Sequence, residues 1–326
     1  MVGQSVRSVE DDMAKKLWIR WLIFVLVIGL GFCVYQFISY KAIRSDARGQ
    51  LQTLATAKQQ VLQTRLEEVV LSLREARDYV YSASSGANST ENINQFLDGL
   101  TQKNVTIITL LVIDAQGVSV ASNRPTLIGS NFKNSPRYKA ISEHPDPDKI
   151  YFSDPFLTPL GNYTIAIGSM LGNKKGGFNG YILAIASPEV FWKILVKDTA
   201  THGMASALMN DSGLVIYRTP NNENREASDL SAYPDSDFWK FLSSGKDADE
   251  STAIAPTTGL MNMISYRRIA LKDITTDRQL YLALSVENNL VFQNWQTRGL
   301  RLFLAWILLV SLSGLAVVWK IQRAEI

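Results

Sequence analysis

The sequence predicts an α+β chain in which two membrane helices flank a long helix and two related modules built on antiparallel sheets. Three observations predict it. Two long uncharged runs stand near the ends, at residues 21–40 and 302–319. An apolar stripe at helical spacing follows the first run. The stretch from about residue 105 to 300 repeats its pattern of strands and turns at an offset of roughly one hundred residues.

Composition narrows the class. The net charge of +3 is too small to argue for nucleic acid. Hydrophobic residues make up 46%, which excludes a disordered chain. Charged residues reach only 19%, below the ~25% of a soluble domain, and the two apolar runs account for much of the deficit. A single Cys excludes an internal disulfide, and two His leave little for a histidine-rich metal site.

Trp21 to Tyr40 lie uncharged between Arg20 and Lys41. At about 1.5 Å per residue they span roughly 30 Å, the thickness of a bilayer core. Trp18, Trp21, Tyr35 and Tyr40 sit near the ends of this run, where amphipathic rings favour the headgroup layer. Leu302 to Trp319 form the second run, between Arg301 and Lys320. The first run exceeds a signal-peptide core, and no small-x-small cleavage site follows it, so it reads as an uncleaved anchor. The bland alternative for each run is a buried core helix. The plan is then a tail at 1–17, a span at 18–40, an extracytoplasmic region at 41–300, a span at 302–319 and a stub at 320–326. Basic residues flank both spans about equally, so charge does not set the orientation. A cysteine-free middle suits a bacterial periplasm, and the inner membrane is the expected location.

Residues 41–85 read as one helix. Leu62, Leu66, Val69, Leu73, Ala76 and Val80 recur three or four residues apart. This stripe packs on its own domain or forms a dimer seam, and the two can coexist. Val105 to Ile113 then reads as a strand, with a turn at residues 114–117 and a return at 118–121. Ala205 to Met209, residues 210–213 and Leu214 to Tyr217 repeat the phrase. Pro136 to Glu143 and Asp235 to Ser243 read as short helices. Strands beginning at Tyr151-Phe152 and at Thr252 follow. Tyr163 to Leu171 matches Met261 to Ile269. Gly176-Gly177 and Asn179-Gly180 read as hairpin turns before Tyr181 to Ala186, which matches Tyr281 to Val286. Helices at 188–196 and 287–298 close each unit, Pro188 suiting a first helical turn.

Four stretches carry a family resemblance: Tyr151-Phe152-Ser153-Asp154-Pro155-Phe156, Gly180 to Phe191, Ile264-Ser265-Tyr266-Arg267-Arg268, and Leu284-Ser285-Val286-Glu287 with Trp295. In order and spacing they resemble the double Cache sensor domain of bacterial transmembrane receptors, most like those that precede diguanylate cyclase (GGDEF) or histidine kinase output domains. The resemblance covers about residues 41–300. It implies two PAS-like modules, a membrane-distal one at 105–200 and a proximal one at 201–300. It also implies a small extracytoplasmic ligand held in the distal module, between the sheet and the segment with the short helix. Some members bind amino acids through an arginine and aromatics on that helix and a later aspartate. Here Ser135 stands at the arginine position, Arg137 at an aromatic one and Ser187 at the aspartate, while Tyr138 keeps the aromatic.

The candidate ligand residues are therefore Arg137, Tyr138, Tyr151, Asp154 and Tyr163. Arg137 offers a cation to an anionic ligand, since a guanidinium bonds a carboxylate through two hydrogens. A solvated surface arginine and ordinary strand packing are the plainer alternatives. No P-loop, dinucleotide glycine fingerprint or zinc helix motif stands in the sequence, and His144 and His202 fall in different modules. No catalytic residue, metal or cofactor is expected, and the chain is not expected to be an enzyme. Pro145-Asp146-Pro147-Asp148 reads as a rigid loop for which calcium is a weak option. The expected partners are a small ligand, the bilayer, a second copy and a cytoplasmic output, beyond Ile326 or on another protein. By the resemblance a diguanylate cyclase is the first expectation for that output and a histidine kinase the second. The rival readings are a chemoreceptor sensor portion, a membrane-anchored enzyme and a protein-binding assembly factor.

Overall fold

The computed structural model describes residues 2–84, 90–158, 163–172, 177–199, 203–220, 229–256 and 258–324. It opens with α1 (Val2–Ser84) and α2 (Thr90–Lys103). The first lobe holds β1 (Ile107–Ile113), β2 (Ser119–Ser122), α3 (Pro136–Glu143), β3 (Lys149–Phe152), β4 (Phe156–Leu157), β5 (Tyr163–Thr164), β6 (Ala166–Gly172), β7 (Phe178–Ala186) and α4 (Pro188–Val196). The second holds β8 (Met204–Asn210), β9 (Val215–Thr219), α5 (Asp237–Ser244), β10 (Ala248–Ile254), β11 (Met261–Ile269), β12 (Thr275–Thr276) and β13 (Leu280–Glu287), and α6 (Asn288–Ala324) closes the chain. By contacts the chain divides into two units, Met1–Gly49 with Asn288–Ile326, and Gln50–Glu287.

The duplication is visible in the strand order. The first sheet runs β12-β3-β6-β7-β1-β2 and the second β10-β11-β13-β8-β9. Without β12, and counting only the strands within each sheet in chain order, both follow one permutation: third, fourth, fifth, first and second. The first turns match bond for bond. Asp114 Oδ1 accepts from the amide of Val118 at 2.8 Å, and Asn210 Oδ1 from that of Leu214 at 2.9 Å. The Gly117 amide donates to Asp114 O, and the Gly213 amide to Asn210 O. Each Asx side chain imitates a backbone turn, which is why an Asp and an Asn serve equally.

The apolar stripe of α1 is the spine of the Gln50–Glu287 unit. Leu62, Leu66, Val69, Leu73 and Ala76 are fully buried and Val80 nearly so. Each buried leucine contributes about 2 kcal/mol of transfer free energy. The stripe thus packs inside its own domain, and a dimer through this helix would use its other face, where Thr53, Ala57, Gln60, Thr64 and Leu71 are exposed. Amphipathic α2 buries Leu97 and Leu100 and lies along β1 and β2. α4 follows the first sheet in sequence yet packs on β8 and β9 of the second, where Phe191 stacks on Tyr217 with ring centroids 5.4 Å apart. The two lobes are also tied by the Tyr217 hydroxyl, which bonds Thr164 Oγ1 at 3.1 Å.

In the other unit, two helices are long and apolar enough to cross a membrane, and their apolar windows are not buried. That exposure removes the core-helix alternative for both runs. Trp21 Nε1 donates to Ser313 Oγ at 3.0 Å, its ring packs over Gly314, and the Trp306 ring packs over Gly29. Tyr40 stacks on Phe292 at 4.9 Å.

Two expectations about strands need correction. Asn179-Gly180 is not a hairpin turn; it lies within β7, where Gly180 takes φ +108°. The connection begins after Gly172, and Gly176 lies outside the described residues. The expected strand from Tyr163 to Leu171 breaks at Ile165, whose carbonyl accepts from the Ala186 amide, leaving β5 to pair with β4.

Candidate ligand-binding site

The first lobe holds a cleft of about 60 Å³ between α3 and the sheet. α3 starts where Ser135 Oγ accepts from the Tyr138 amide at 3.2 Å, with Pro136 in the first turn. That start places Arg137, Ala140 and Ile141 along the cleft, against Tyr151 and Phe152 of β3, Ala166 of β6 and Leu183 of β7. Ser153 and Asp154 form one rim. Asp277 and Arg278, between β12 and β13 of the second lobe, complete it.

Arg137 dominates the chemistry. It is half-buried and its guanidinium lies 4.1 Å from the centre of the Phe156 ring. Its Nε is buried without a hydrogen-bond partner. Burial pulls its pKa down from the usual value, and the neighbouring Tyr181 hydroxyl acts in the opposite sense. Tyr181 is fully buried and pushed up to about 12, chiefly by desolvation. Its hydroxyl lies beside Ser135 and Arg137 but makes no well-formed hydrogen bond. A guanidinium against an aromatic face, with a donor unmatched, is suited to an anion.

The other charges around the cleft are matched. Arg278 pairs with Asp154, which also accepts from Asn210 Nδ2 at 3.3 Å. Asp277 Oδ1 accepts from the Phe152 amide at 2.8 Å. Burial holds the Asp277 carboxyl above the usual range, while the Phe152 amide and Arg278 draw it down.

Arg137, Tyr151 and Asp154 thus meet at one cleft, and two other expected residues stand apart from its lining. Tyr138 donates its hydroxyl to Ala115 O at 2.6 Å and sets its ring edge-on to Phe178, fastening α3 to the β1–β2 turn. Tyr163 pairs with Leu157 in the two-stranded ribbon. Tyr151 gives its hydroxyl to His144 O at the end of α3, so its ring lines the cleft while its polar end is engaged. Burial raises its pKa. Ser135 and Ser187 cap α3 and α4. His202 lies outside the described residues. Among the described residues no group of three or more His, Cys, Asp and Glu side chains could hold a metal ion.

Sequence reasoning missed Asp277 and Arg278. The signal was present as an asymmetry of the repeat: Gly172 to Phe178 separates the last two long strands of the first lobe, whereas Ile269 to Leu280 separates those of the second. The longer connection carries β12, which pairs in parallel with β3.

This fold recurs in solved extracellular and periplasmic sensor domains. An extracellular ligand binding receptor from Desulfohalobium retbaense superposes with a TM-score of 0.57 at 18% identity, over 73% of this chain and 40% of that one. The extracellular domain of the histidine kinase rpHK1S-Z16, described as putative, gives 0.62 at 15% identity, over 77% of this chain and 98% of its own. The ligand-binding domain of the Pseudomonas fluorescens chemoreceptor CtaA, in complex with L-isoleucine, gives 0.56 at 19% identity, over 79% and 99%. At these identities the likeness is one of fold. No family model and no curated protein matches the sequence.

Proposed function

We propose that the chain is a transmembrane receptor whose distal lobe binds a small anionic ligand and passes the change to a cytoplasmic output. The observation that carries this reading is Arg137: a half-buried cation at the cleft, with Nε buried and unpartnered. At ~10–15 Å³ of open space per water, a cleft of about 60 Å³ has room for a ligand of a few heavy atoms. A short carboxylate fits that size and a guanidinium. Free amino acids fit less well, because Ser135 and Ser187 stand where the resemblance places the arginine and aspartate that hold them.

The two apolar helices anchor the lobes to a bacterial inner membrane, with the central region in the periplasm and both ends in the cytoplasm. The resemblance favours a diguanylate cyclase as the output, and a histidine kinase next. Two copies associate through the outer face of α1. A ligand acts only through its differential affinity for two packings, typically about 1–3 kcal/mol of coupling.

The test is a thermal melt of the full chain in detergent with formate, acetate, propionate, phosphate and chloride. Acetate or propionate at one hundred times its Kd stabilises by about 2.7 kcal/mol, a rise of a few degrees. Arg137→Gln abolishes the rise while leaving the ligand-free melting temperature nearly unchanged, because the buried Arg137 Nε has no hydrogen bond to lose. No rise with any anion contradicts the reading.

A further inference from the structure

We infer that the second lobe completes the site: Arg278 is a ligand residue, and an anion bound at Arg137 draws it away from Asp154. This rests on the anion-site reading above and adds its route of regulation.

Arg278 and Arg137 approach the same cleft from different lobes. A carboxylate has two oxygens and can accept from two guanidinium groups at once. Asp154, the present partner of Arg278, is 46% exposed in its side chain, so water can take over its solvation when the arginine turns. The arginine itself is 34% exposed and lines the cleft. An ion pair this exposed contributes little, because water screens both charges. A bound anion held between two cations in a half-buried cleft outweighs it.

The segment carrying Arg278 is fastened on both sides. Towards the first lobe, Thr275 and Thr276 pair with Lys149 and Ile150, and the Asp277 amide donates to Ile150 O at 3.0 Å. Towards the second, Gln279 and Asp211 exchange two bonds of 3.0 Å each, Gln279 N to Asp211 Oδ2 and Asp211 N to Gln279 O. Leu280, the next residue, opens β13, which lies between β11 and β8 in the second sheet and is followed in sequence by α6. A change at Arg278 is therefore made at the root of that strand. The corresponding connection of the first lobe, between Gly172 and Phe178, is shorter.

The experiment measures acetate affinity by calorimetry on the full chain in detergent, for wild type, Arg278→Gln, Asp154→Asn and the double variant. Arg278→Gln weakens acetate about tenfold, the scale of a hydrogen bond to a charged group. Asp154→Asn, which frees the arginine, tightens it about threefold. In the double variant the gain disappears and the affinity equals that of Arg278→Gln, because both changes act through one group. Arg278→Lys keeps the charge and falls between wild type and Arg278→Gln, which covers the case in which the glutamine variant unfolds. If Arg137→Gln abolishes binding while the Arg278 and Asp154 variants bind as wild type does, the segment carrying Arg278 is only structural and the inference fails with the anion site intact. If wild type binds no acetate, both fail.

Discussion

Gly180→Ala is expected to destabilise the Gln50–Glu287 unit by about 3 kcal/mol or more, read by denaturant titration of the full chain in detergent. Gly180 sits inside β7 at φ +108°, a conformation essentially reserved for glycine. A Cβ there would be driven into the Ile113 carbonyl oxygen and would lie 2.9 Å from the Asp114 backbone. Neither neighbour is a flexible side-chain end. Ile113 pairs with Tyr181 in the ladder, and Asp114 opens the turn whose Ala115 carbonyl receives Tyr138 from α3. The displacement therefore reaches the helix that carries Arg137, and anion binding falls together with stability. Gly129→Ala is the control. Its φ is +83°, but nothing lies within 4 Å of the added carbon, so only the left-handed backbone penalty of about 1–2 kcal/mol applies.

Lys58→Met is expected to cost about 2–4 kcal/mol. The Lys58 ammonium is buried, and it donates to Ile194 O at 2.6 Å, Leu195 O at 3.1 Å and Lys197 O at 2.5 Å. Two of these carbonyls belong to the last turn of α4 and the third to its C-cap, Lys197, where a helix leaves carbonyls without partners of its own. Methionine keeps the length and apolar stem but donates nothing. Leu195 O retains the Thr199 and Ser206 hydroxyls, so the loss falls on the other two carbonyls, at about 1–3 kcal/mol each. Relief of the ammonium's desolvation offsets part of it. That desolvation pulls Lys58 down from 10.5 to about 8, against the nearby Asp198 and with Lys197. The unfolded chain then binds more protons than the native one between about pH 8 and 10.5. The lysine's contribution to stability accordingly rises with pH across that window, and the methionine variant lacks this rise. Melting curves at pH 7, 8.5 and 10 read both effects.

Much of the architecture was legible because it repeats or because it is greasy. The two uncharged runs, the Leu62–Val80 stripe and the paired turns at Asp114 and Asn210 each need only a local rule. α2 went unread although Ile93, Phe96, Leu97 and Leu100 share one face, because it follows the long helix without a strand signal to set it off. β4, β5 and β12 are two residues long and carry no periodicity to read. Gly180 misled because the pair Asn-Gly signals a hairpin turn by type, while here the glycine is demanded by a close backbone approach inside a strand.

The site was half legible for the same reasons. Arg137, Tyr151 and Asp154 lie on or beside elements whose register the repeat fixes. Asp277 and Arg278 reach the cleft from the other lobe through a parallel pairing of Thr275 and Thr276 with β3, and no spacing within the first lobe announces them. Tyr138 and Tyr163 were chosen as aromatic residues near the expected pocket; the hydroxyl of the first is engaged by Ala115 and the second belongs to the β4–β5 ribbon.

The most direct measurement is the position of a heavy small anion. Crystals of the full chain grown with methylselenoacetate, a carboxylate with no leaving group, should give one strong selenium anomalous peak in the cleft under α3, with the carboxylate on Arg137 and Arg278 and Asp154 turned to solvent. A cleft that stays empty at saturating methylselenoacetate, or a selenium seated under α5 in the second lobe instead, would contradict the account.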